Sequence, residues 1–408
     1  MSRSSASDLG KEAETRNINQ HSNIDHDLTT GQKELIEAAE PPFTERESDE
    51  KDEQESNDLE RVATKASSKP SVNNIKSVPN GGLWAWLQVV SSFFLFMNTW
   101  GIVNTFGTYQ TYYETGLLST SSPSAISWIG SIQATLLLFV GSLTGPIYDS
   151  GYARSLVFAG TFLVVFGQMM LSPAIGFAWA TRVLGFLELA TLGVSCAVLR
   201  IRVLPAGRRK FLDLAAWKEV PFTFFVLGTF IGFLGLYTPF FYIQSYALAL
   251  GTSSDLAFYL LAILNAASTF GRVLPNLLAD RIGPFNVIIP CTLMTGILCL
   301  CLVATNSFGS VAAISALYGF FSGTFVSLPA TIYVHITANR GLIGTRMGMG
   351  FSVTSIGILV GTPISGAILS ASGYNEIWIY GGIMTIVAAA LICVCRVSKG
   401  GWGWKTVV

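Results

Sequence analysis

Residues 284–305 read PFNVIIPCTLMTGILCLCLVAT, a stretch of 22 residues without one charged side chain. About 20 apolar residues are enough for an α-helix to cross the hydrocarbon core of a bilayer. The stretch therefore predicts a transmembrane helix. Nine further runs of the same kind predict an all-α, polytopic membrane protein with about ten transmembrane helices, and these runs are 84–108, 124–147, 154–172, 174–199, 219–243, 254–276, 308–333, 344–371 and 374–396.

The composition of the 408-residue chain agrees with this class, because half of its residues are hydrophobic and only 12% are charged. A soluble protein of this length needs more polar surface. The first 79 residues differ, with 17 acidic and 10 basic side chains and few aromatic ones. Such a segment cannot offset the entropy of its own ordering, so we expect 1–79 to be a disordered acidic tail. It is either a solvated spacer or a site of phosphorylation or ubiquitin-linked turnover.

The positions of lysine and arginine predict the orientation in the membrane. Basic residues cluster on one side of the ten runs, and Arg182 is the exception. Both termini are therefore expected in the cytoplasm. No lysine or arginine occurs in the predicted outer loops, which are 109–123, 244–253, 306–307 and 372–373.

The basic segment 200–218 is the longest inner connection and divides the helices into four and six. It is expected to be a cytoplasmic linker, for which contact with anionic lipid and a regulatory or protein-docking role are both open. The predicted domains are the tail, an incomplete N-terminal bundle, the linker, a six-helix C-terminal bundle and a short cytoplasmic tail, at 1–79, 80–199, 200–218, 219–397 and 398–408.

Two predicted inner turns resemble each other. GSLTGPIYDSGYAR ends the second run at residues 141–154, and GRVLPNLLADRIGPF ends the sixth run at residues 271–285. Each has small or helix-breaking residues, then an aspartate, a glycine and a nearby arginine. Parallel repeats of this kind are typical of major facilitator transporters. The candidate gating residues are Asp149, Gly151, Arg154, Asp280, Arg281 and Gly283.

The start of the first run, NGGLWAW at residues 80–86, resembles the signature that opens the first helix of the monocarboxylate transporter family. NTFGTYQ at 104–110 and DRIGPFN at 280–286 resemble the fungal branch of that family, which includes transporters of monocarboxylates, riboflavin and secondary metabolites. The resemblance covers roughly residues 80–398. It implies a major facilitator fold and secondary active transport of a small organic acid or metabolite by alternating access.

The chain departs from the family in its helix number. The family has six plus six helices, whereas this sequence predicts four plus six, and the signature that enters the family's fifth helix is absent. Residues 176–186, GFAWATRVLGF, resemble the family's sixth helix, so its fourth and fifth helices are missing after Ser172. A skipped exon or an incorrect gene model is one explanation, and a genuinely reduced protein is the other. The functional alternative is a transport-inactive pseudo-transporter.

The resemblance also implies where the substrate binds. In animal members, a first-helix lysine and an eighth-helix aspartate–arginine pair handle the proton and the carboxylate. The matching positions are Asn104, Ser268 and Arg272, so the arginine is the one charge retained. Arg272 either binds an anionic group or has a structural role at the inner gate. Asn104 and Asn265 either line a polar cavity or form interhelical hydrogen bonds.

Glu188 is the deepest carboxylate in the predicted membrane region. It is a candidate proton carrier, or it pairs with Arg182, or it is exposed by the loss of the missing helices. The sequence contains no nucleotide-binding loop, catalytic triad or metal-ligand constellation. We therefore expect no enzyme activity, cofactor, metal or nucleic-acid partner. The expected partners are a small-molecule substrate and membrane lipid, with proton co-transport, oligomeric state and the choice of plasma or vacuolar membrane left open.

Overall fold

The computed structural model describes residues 82–148, 152–174, 178–199 and 212–401, and regular structure in these ranges is helical throughout. The predicted tail 1–79, residues 200–211 of the linker and residues 402–408 lie outside them. The α-helices are α1 Leu83–Tyr112, α2 Pro123–Ile147, α3 Ala153–Ala174, α4 Ala178–Val198, α5 Val220–Leu236, α6 Thr238–Ala249, α7 Ser254–Ile282, α8 Pro284–Cys301, α9 Phe308–Ser327, α10 Pro329–Ile336, α11 Ile343–Ser372 and α12 Tyr374–Gly400.

Eight segments of the described chain are long and apolar enough to cross a membrane. Two of them are bent pairs, since α5 and α6 form Val220–Ala249 and α9 and α10 form Phe308–Ile336. A proline lies at each bend, where its missing N–H and its ring interrupt the helix. α3 adds a shorter apolar stretch, Ala153–Met169, and α4 is a helix of 21 residues. The all-α polytopic fold is confirmed, and the number of ten spans stays a prediction.

Several helices end later than the predicted runs. α7 continues six residues past 276 to Ile282, and α12 continues to Gly400, so the predicted tail 398–408 begins as helix. The break expected at Ser172-Pro173 lies further on, because α3 runs to Ala174 and α4 begins at Ala178. A proline in the last turn removes only one intrahelical bond, which explains why the helix tolerates it.

Large side chains and very small ones together form the core of α5–α12. α7 packs along α9, where a Cβ at Gly271 would overlap the carbonyl oxygen of Phe320. Glycine therefore lets the two backbones touch. The fully buried aromatic residues that fill the rest of this half are Phe222, Phe225, Tyr237, Phe241, Tyr242, Phe285, Tyr318, Phe325, Tyr333 and Trp378.

α1–α4, the first half, contact α5–α12, the second half, mainly at two interfaces. α1 packs on α6, and Gly107 lies directly against the carbonyl of Phe240. α2 packs along α11 through a series of hydroxyl groups. The hydroxyl contacts are Ser124 Oγ to the Pro363 carbonyl at 2.8 Å, Ser131 to Thr362, Thr135 Oγ1 to the Ser355 carbonyl at 3.1 Å, and Ser142 Oγ to Ser352 Oγ at 2.8 Å.

Candidate functional site

Next to Arg272, α7 lacks one backbone hydrogen bond, and a side chain of α9 supplies a bond in its place. Pro275 lies inside the helix and has no N–H for the carbonyl of Gly271. Thr324 of α9 supplies that bond, because its Oγ1 donates to the Gly271 carbonyl at 2.9 Å. In a membrane each backbone polar group needs such a partner. The bond ties the stretch that carries Arg272 to α9.

The guanidinium of Arg272 contacts two aromatic rings of α1. Its Cζ lies 5.1 Å from the ring centroid of Phe96 and 5.7 Å from that of Trp100, which are cation–π distances. The side chain is half-buried, and no salt bridge to it occurs within the described part of the chain. A cation of the second half thus lies on rings of the first half.

Two turns closer to the N-terminus of α7 than Arg272, the side-chain amide of Asn265 contacts α1. Its Nδ2 donates to the Asn104 carbonyl at 3.4 Å, so these two predicted residues meet. Among the described residues, Asn104 Oδ1 and Asn265 Oδ1 have no hydrogen-bond partner, and neither does the hydroxyl of Ser268 or Tyr237. Unpaired buried acceptors are costly, so this contact can accept hydrogen bonds from a bound molecule.

A large cavity of about 1250 Å³ lies on the other side of α1. α2, α3 and α11 form most of its wall, together with Leu212, Leu214 and Trp217, and Gln133 is one of its few polar lining residues. Arg272, Asn104 and Asn265 do not line it, whereas Trp100 contacts both the cavity and Arg272. The structure therefore brings the three predicted binding residues together along α1 and α7 but not into this cavity.

The predicted gating residues are placed only in part. Arg154 Nε donates to the Leu199 carbonyl at 3.1 Å, which links the start of α3 to the end of α4. Gly283 has a φ of 95°, a conformation that favours glycine, and it ends α7. Asp280 and Arg281 lie in the last turn of α7, and the N-cap of α8 is Gly283, which has no side-chain hydrogen bond. Asp149 and Gly151 lie outside the described residues.

Glu188 is buried in α4, with 4% of its surface exposed, and its Oε2 has no hydrogen-bond partner within the described chain. One turn away, Asn98 Nδ2 of α1 donates to Thr191 Oγ1 at 2.8 Å. Glu188 therefore lies beside a polar contact between α1 and α4. Its role as a proton carrier stays a prediction.

Two polar clusters were not singled out from the sequence. Arg346 of α11 donates to both carboxylate oxygens of Glu219 at 2.7 and 2.5 Å and to Asp213 at 2.8 Å. It thereby fixes the last residues of the linker to α11. The other cluster surrounds Glu114 at the end of α1. The sequence contains one signal for both clusters. Residues 80–408 have only eight acidic residues, so each of them is a candidate for a specific contact.

Comparison with known proteins places this helical arrangement in a family. Residues 224–401 match the family model described as Major Facilitator Superfamily. The MFS-type transporter dbaD of Emericella nidulans is 41% identical over an alignment of 384 residues, gaps included, which covers 77% of this chain and 86% of that protein. This chain belongs to the major facilitator superfamily. It is therefore a membrane transporter by family, and not an enzyme.

Other matches agree with this membership of the major facilitator superfamily. The aspyridones efflux protein apdF of the same species is 32% identical over 390 residues, covering 79% of this chain and 80% of that protein. In fold, this superfamily member is similar to the crystal structure of the nucleoside transporter NupG. The identity is 13% and the TM-score 0.52, over 77% of this chain and 99% of that chain.

Proposed function

We propose that this sequence encodes a secondary carrier that exports a small organic molecule by alternating access, with its substrate site at Arg272, Asn104 and Asn265. The contact of Arg272 with Phe96 and Trp100 carries the proposal. It lies between the two halves, where rocking of one half against the other alternately exposes a bound molecule. A guanidinium recognises an anionic oxygen, and aromatic rings accept an apolar body.

The relatives support export and a secondary metabolite as substrate. Two of them are named as efflux proteins, for aspyridones and for agnestins. Among the three substrate classes implied by the sequence, these names favour secondary metabolites over monocarboxylates and riboflavin-like compounds. Proton coupling is the energy source we propose, since the sequence has no nucleotide-binding loop.

A second candidate is that the 408-residue chain itself is transport-inactive. The match to dbaD has 384 aligned residues, whereas 77% of 408 residues is about 314. About 70 positions of that relative thus have no counterpart here, and the match to apdF gives a similar difference. Two membrane helices with their turns need about that length. This supports the loss of two helices from the N-terminal half.

One face of α7 is exposed and is compatible with the loss of two helices. Phe270, Leu274 and Leu277 lie at helical spacing and are 53–63% exposed. A face of this kind lies either in lipid or against a helix that this chain lacks. Sequencing the transcript distinguishes a real deletion from an incorrect gene model. A transcript that contains about 70 further codons after Ser172 would make the shortened chain an artefact.

Export is tested with inside-out membrane vesicles that contain a version of the protein extended to the length of its relatives. We expect an imposed proton gradient to drive accumulation of an aromatic organic acid, and a protonophore to abolish it. Vesicles with the Arg272→Ala variant are the matched control. Accumulation that requires ATP, or none with any acid of a broad panel, would contradict the proposal.

A further inference from the structure

The first helix ends in a π-helical turn, Tyr113–Leu117, that carries Glu114. Such turns place one extra residue in a helix and are frequent at functional sites. We refer to this end of α1 as the outer end, following the predicted orientation. The Glu114 side chain is half-buried and accepts two short hydrogen bonds. Gln110 Nε2 donates to its Oε1 at 2.6 Å, and Ser245 Oγ donates to its Oε2 at 2.6 Å.

The bond from Ser245 joins the two halves of the protein, because Ser245 lies on α6 and Glu114 follows α1. Thr111 Oγ1 lies 3.1 Å from Ser245 Oγ and extends the contact by one turn. Gln110, Thr111 and Ser245 are each at least 92% buried. Glu114 with these three residues forms what we call the outer contact, and the halves are closed there.

The outer contact contains a carboxylate without a basic partner among the described residues. The predicted outer loops have no lysine or arginine, and no described salt bridge involves Glu114. The titratable groups that face it are the phenols of Tyr242 from α6 and Tyr374 from α12. α2 contributes only the Pro123 carbonyl, which accepts from Gln110 at 3.2 Å. Phenols ordinarily titrate near pH 10, and Glu114 is the one carboxyl group among the described titratable groups that face this contact.

The hydrogen-bond pattern matches the ionised form of Glu114. An ionised carboxylate only accepts hydrogen bonds, and both bonds seen here are donated to it. Bonds to an ionised acceptor are shorter and about twice as strong as neutral ones. The side chain is half-buried, and the residues that follow it, 115–117, are exposed. The closed contact is therefore strongest when Glu114 carries its charge.

We propose that Glu114 is a proton-binding site that keeps the outer side closed when ionised and lets it open when a proton from the outer solution binds. Protonation neutralises the carboxylate, which weakens the bond from Ser245 and the hold of α1 on α6. An opening driven by outer protons is the step at which an exporter releases its cargo outward. The inference concerns the opening itself and does not depend on which substrate, if any, is moved.

The experiment measures how readily a membrane-impermeant thiol reagent, added outside, labels a cysteine at Val103 in the full 408-residue chain. Val103 is 3% exposed and lies about 16 Å along α1 from Glu114, so an opening of the outer side is needed to reach it. A cysteine at the exposed Ser121 corrects for the effect of pH on thiol reactivity. The unsubstituted chain gives the background from its six cysteines.

We expect Val103→Cys labelling, relative to Ser121→Cys, to rise about tenfold between outer pH 7.5 and 5.5, the order of magnitude for losing one hydrogen bond to a charged group. Adding Glu114→Gln should give high labelling at both pH values. Adding Ser245→Ala should raise labelling at pH 7.5 and reduce the response to pH. Glu376→Gln, which neutralises an exposed acid in the first turn of α12, should leave the response unchanged.

Each contrary result would overturn the proposal. Labelling that does not change with pH in the parent chain shows that no proton controls the opening. A pH response that survives in both the Glu114→Gln and Ser245→Ala variants assigns the proton to another group. Export of a substrate plays no part in these readouts, so a failed transport assay leaves their outcome intact.

Discussion

The two halves of this transporter bury their side chains to very different degrees. Of the eleven largest side chains that the described structure buries completely, ten belong to α5–α12 and only Ile126 belongs to the first four helices. Phe158 and Phe162 of α3 are 70% and 63% exposed. Outward faces of a membrane protein lie in lipid, so exposure alone is expected. The difference shows instead that large side chains are buried mainly among α5–α12 and far less among the described residues of α1–α4.

The largest effect should come from completing the first half. Inserting the two helices of a relative after Ser172 should take substrate flux from undetectable to measurable and increase the amount of protein at its target membrane. The physical reason is that the added helices cover surfaces of α1–α4 that pack against protein in a complete bundle, and each polar or charged group left in hydrocarbon is costly, about 2.5–3.5 kcal/mol for a charge. Flux into vesicles and surface labelling are the measurements.

The position of the insertion provides the control for this experiment. The same helix pair inserted between Gly251 and Thr252, in the outer turn of the second half, keeps the in–out parity but cannot complete the first half. It should restore nothing. Equal flux from the 408-residue chain and the Ser172 insertion would show that the difference in burial has no functional meaning.

The next largest effect concerns Arg272, the cation of the second half that lies on two aromatic rings of the first half. In the completed protein, Arg272→Ala should abolish transport with normal expression, and Arg272→Lys should retain little, because an ammonium cannot replace a planar guanidinium on aromatic rings. Val273→Ala changes the neighbouring, 54% exposed residue and should transport normally. Uptake assays on matched amounts of protein measure the effect. Normal transport by the Ala variant would reduce Arg272 to a structural residue.

A pair of glycine substitutions compares the packing of the halves directly. Gly271→Ala should destabilise the protein by about 1–3 kcal/mol, since its Cβ would overlap the Phe320 carbonyl. Gly167→Ala in α3 meets nothing within 4 Å and should be neutral or stabilising by up to about 1 kcal/mol. Thermal unfolding in detergent measures both. Equal shifts in the unfolding midpoint would mean that the two halves are equally tightly packed.

The smallest expected signal tests the orientation that both halves share. Tags at residues 1 and 408 should both resist protease added to intact cells, because the basic residues of both halves cluster at the ends predicted to be cytoplasmic. Permeabilised cells, in which both tags should be cleaved, are the control. Cleavage of either tag in intact cells would refute this topology, and with it the assignment of Glu114 to the outer end.

The sequence predicts the membrane fold well because each apolar run is long enough to be recognised alone. Run 284–305 and the segment ending at Ala304 agree within one residue. Burial was harder to predict, since lipid-facing and protein-facing residues are equally apolar. Asn104, Asn265 and Arg272 do share the contact of α1 with α7, but no sequence pattern shows that the large cavity lies elsewhere.

The sequence does not single out Glu114, because its hydrogen-bond partner Ser245 lies 131 positions away in the chain. Run 84–108 stopped before it, and nothing near it in sequence indicates that Ser245 of α6 donates to it. The same holds for the bond from Thr324 to the Gly271 carbonyl, which depends on two helices that meet only in the fold. Contacts between helices that are far apart in sequence depend on how the helices pack. A hydropathy pattern identifies the helices but does not predict which of them pack together.

The hydroxyl groups between α2 and α11 have a consequence for motion between the halves. A hydroxyl both donates and accepts, and an interhelical hydrogen bond in a membrane contributes on average only about 0.6 kcal/mol. When one helix tilts or slides along the other, a serine or threonine that loses one partner finds a backbone carbonyl or another hydroxyl nearby. The energy of this interface therefore varies little with the angle between the halves. In the alternating-access cycle that we propose, α2 and α11 can therefore stay in contact while the two halves rotate about this interface.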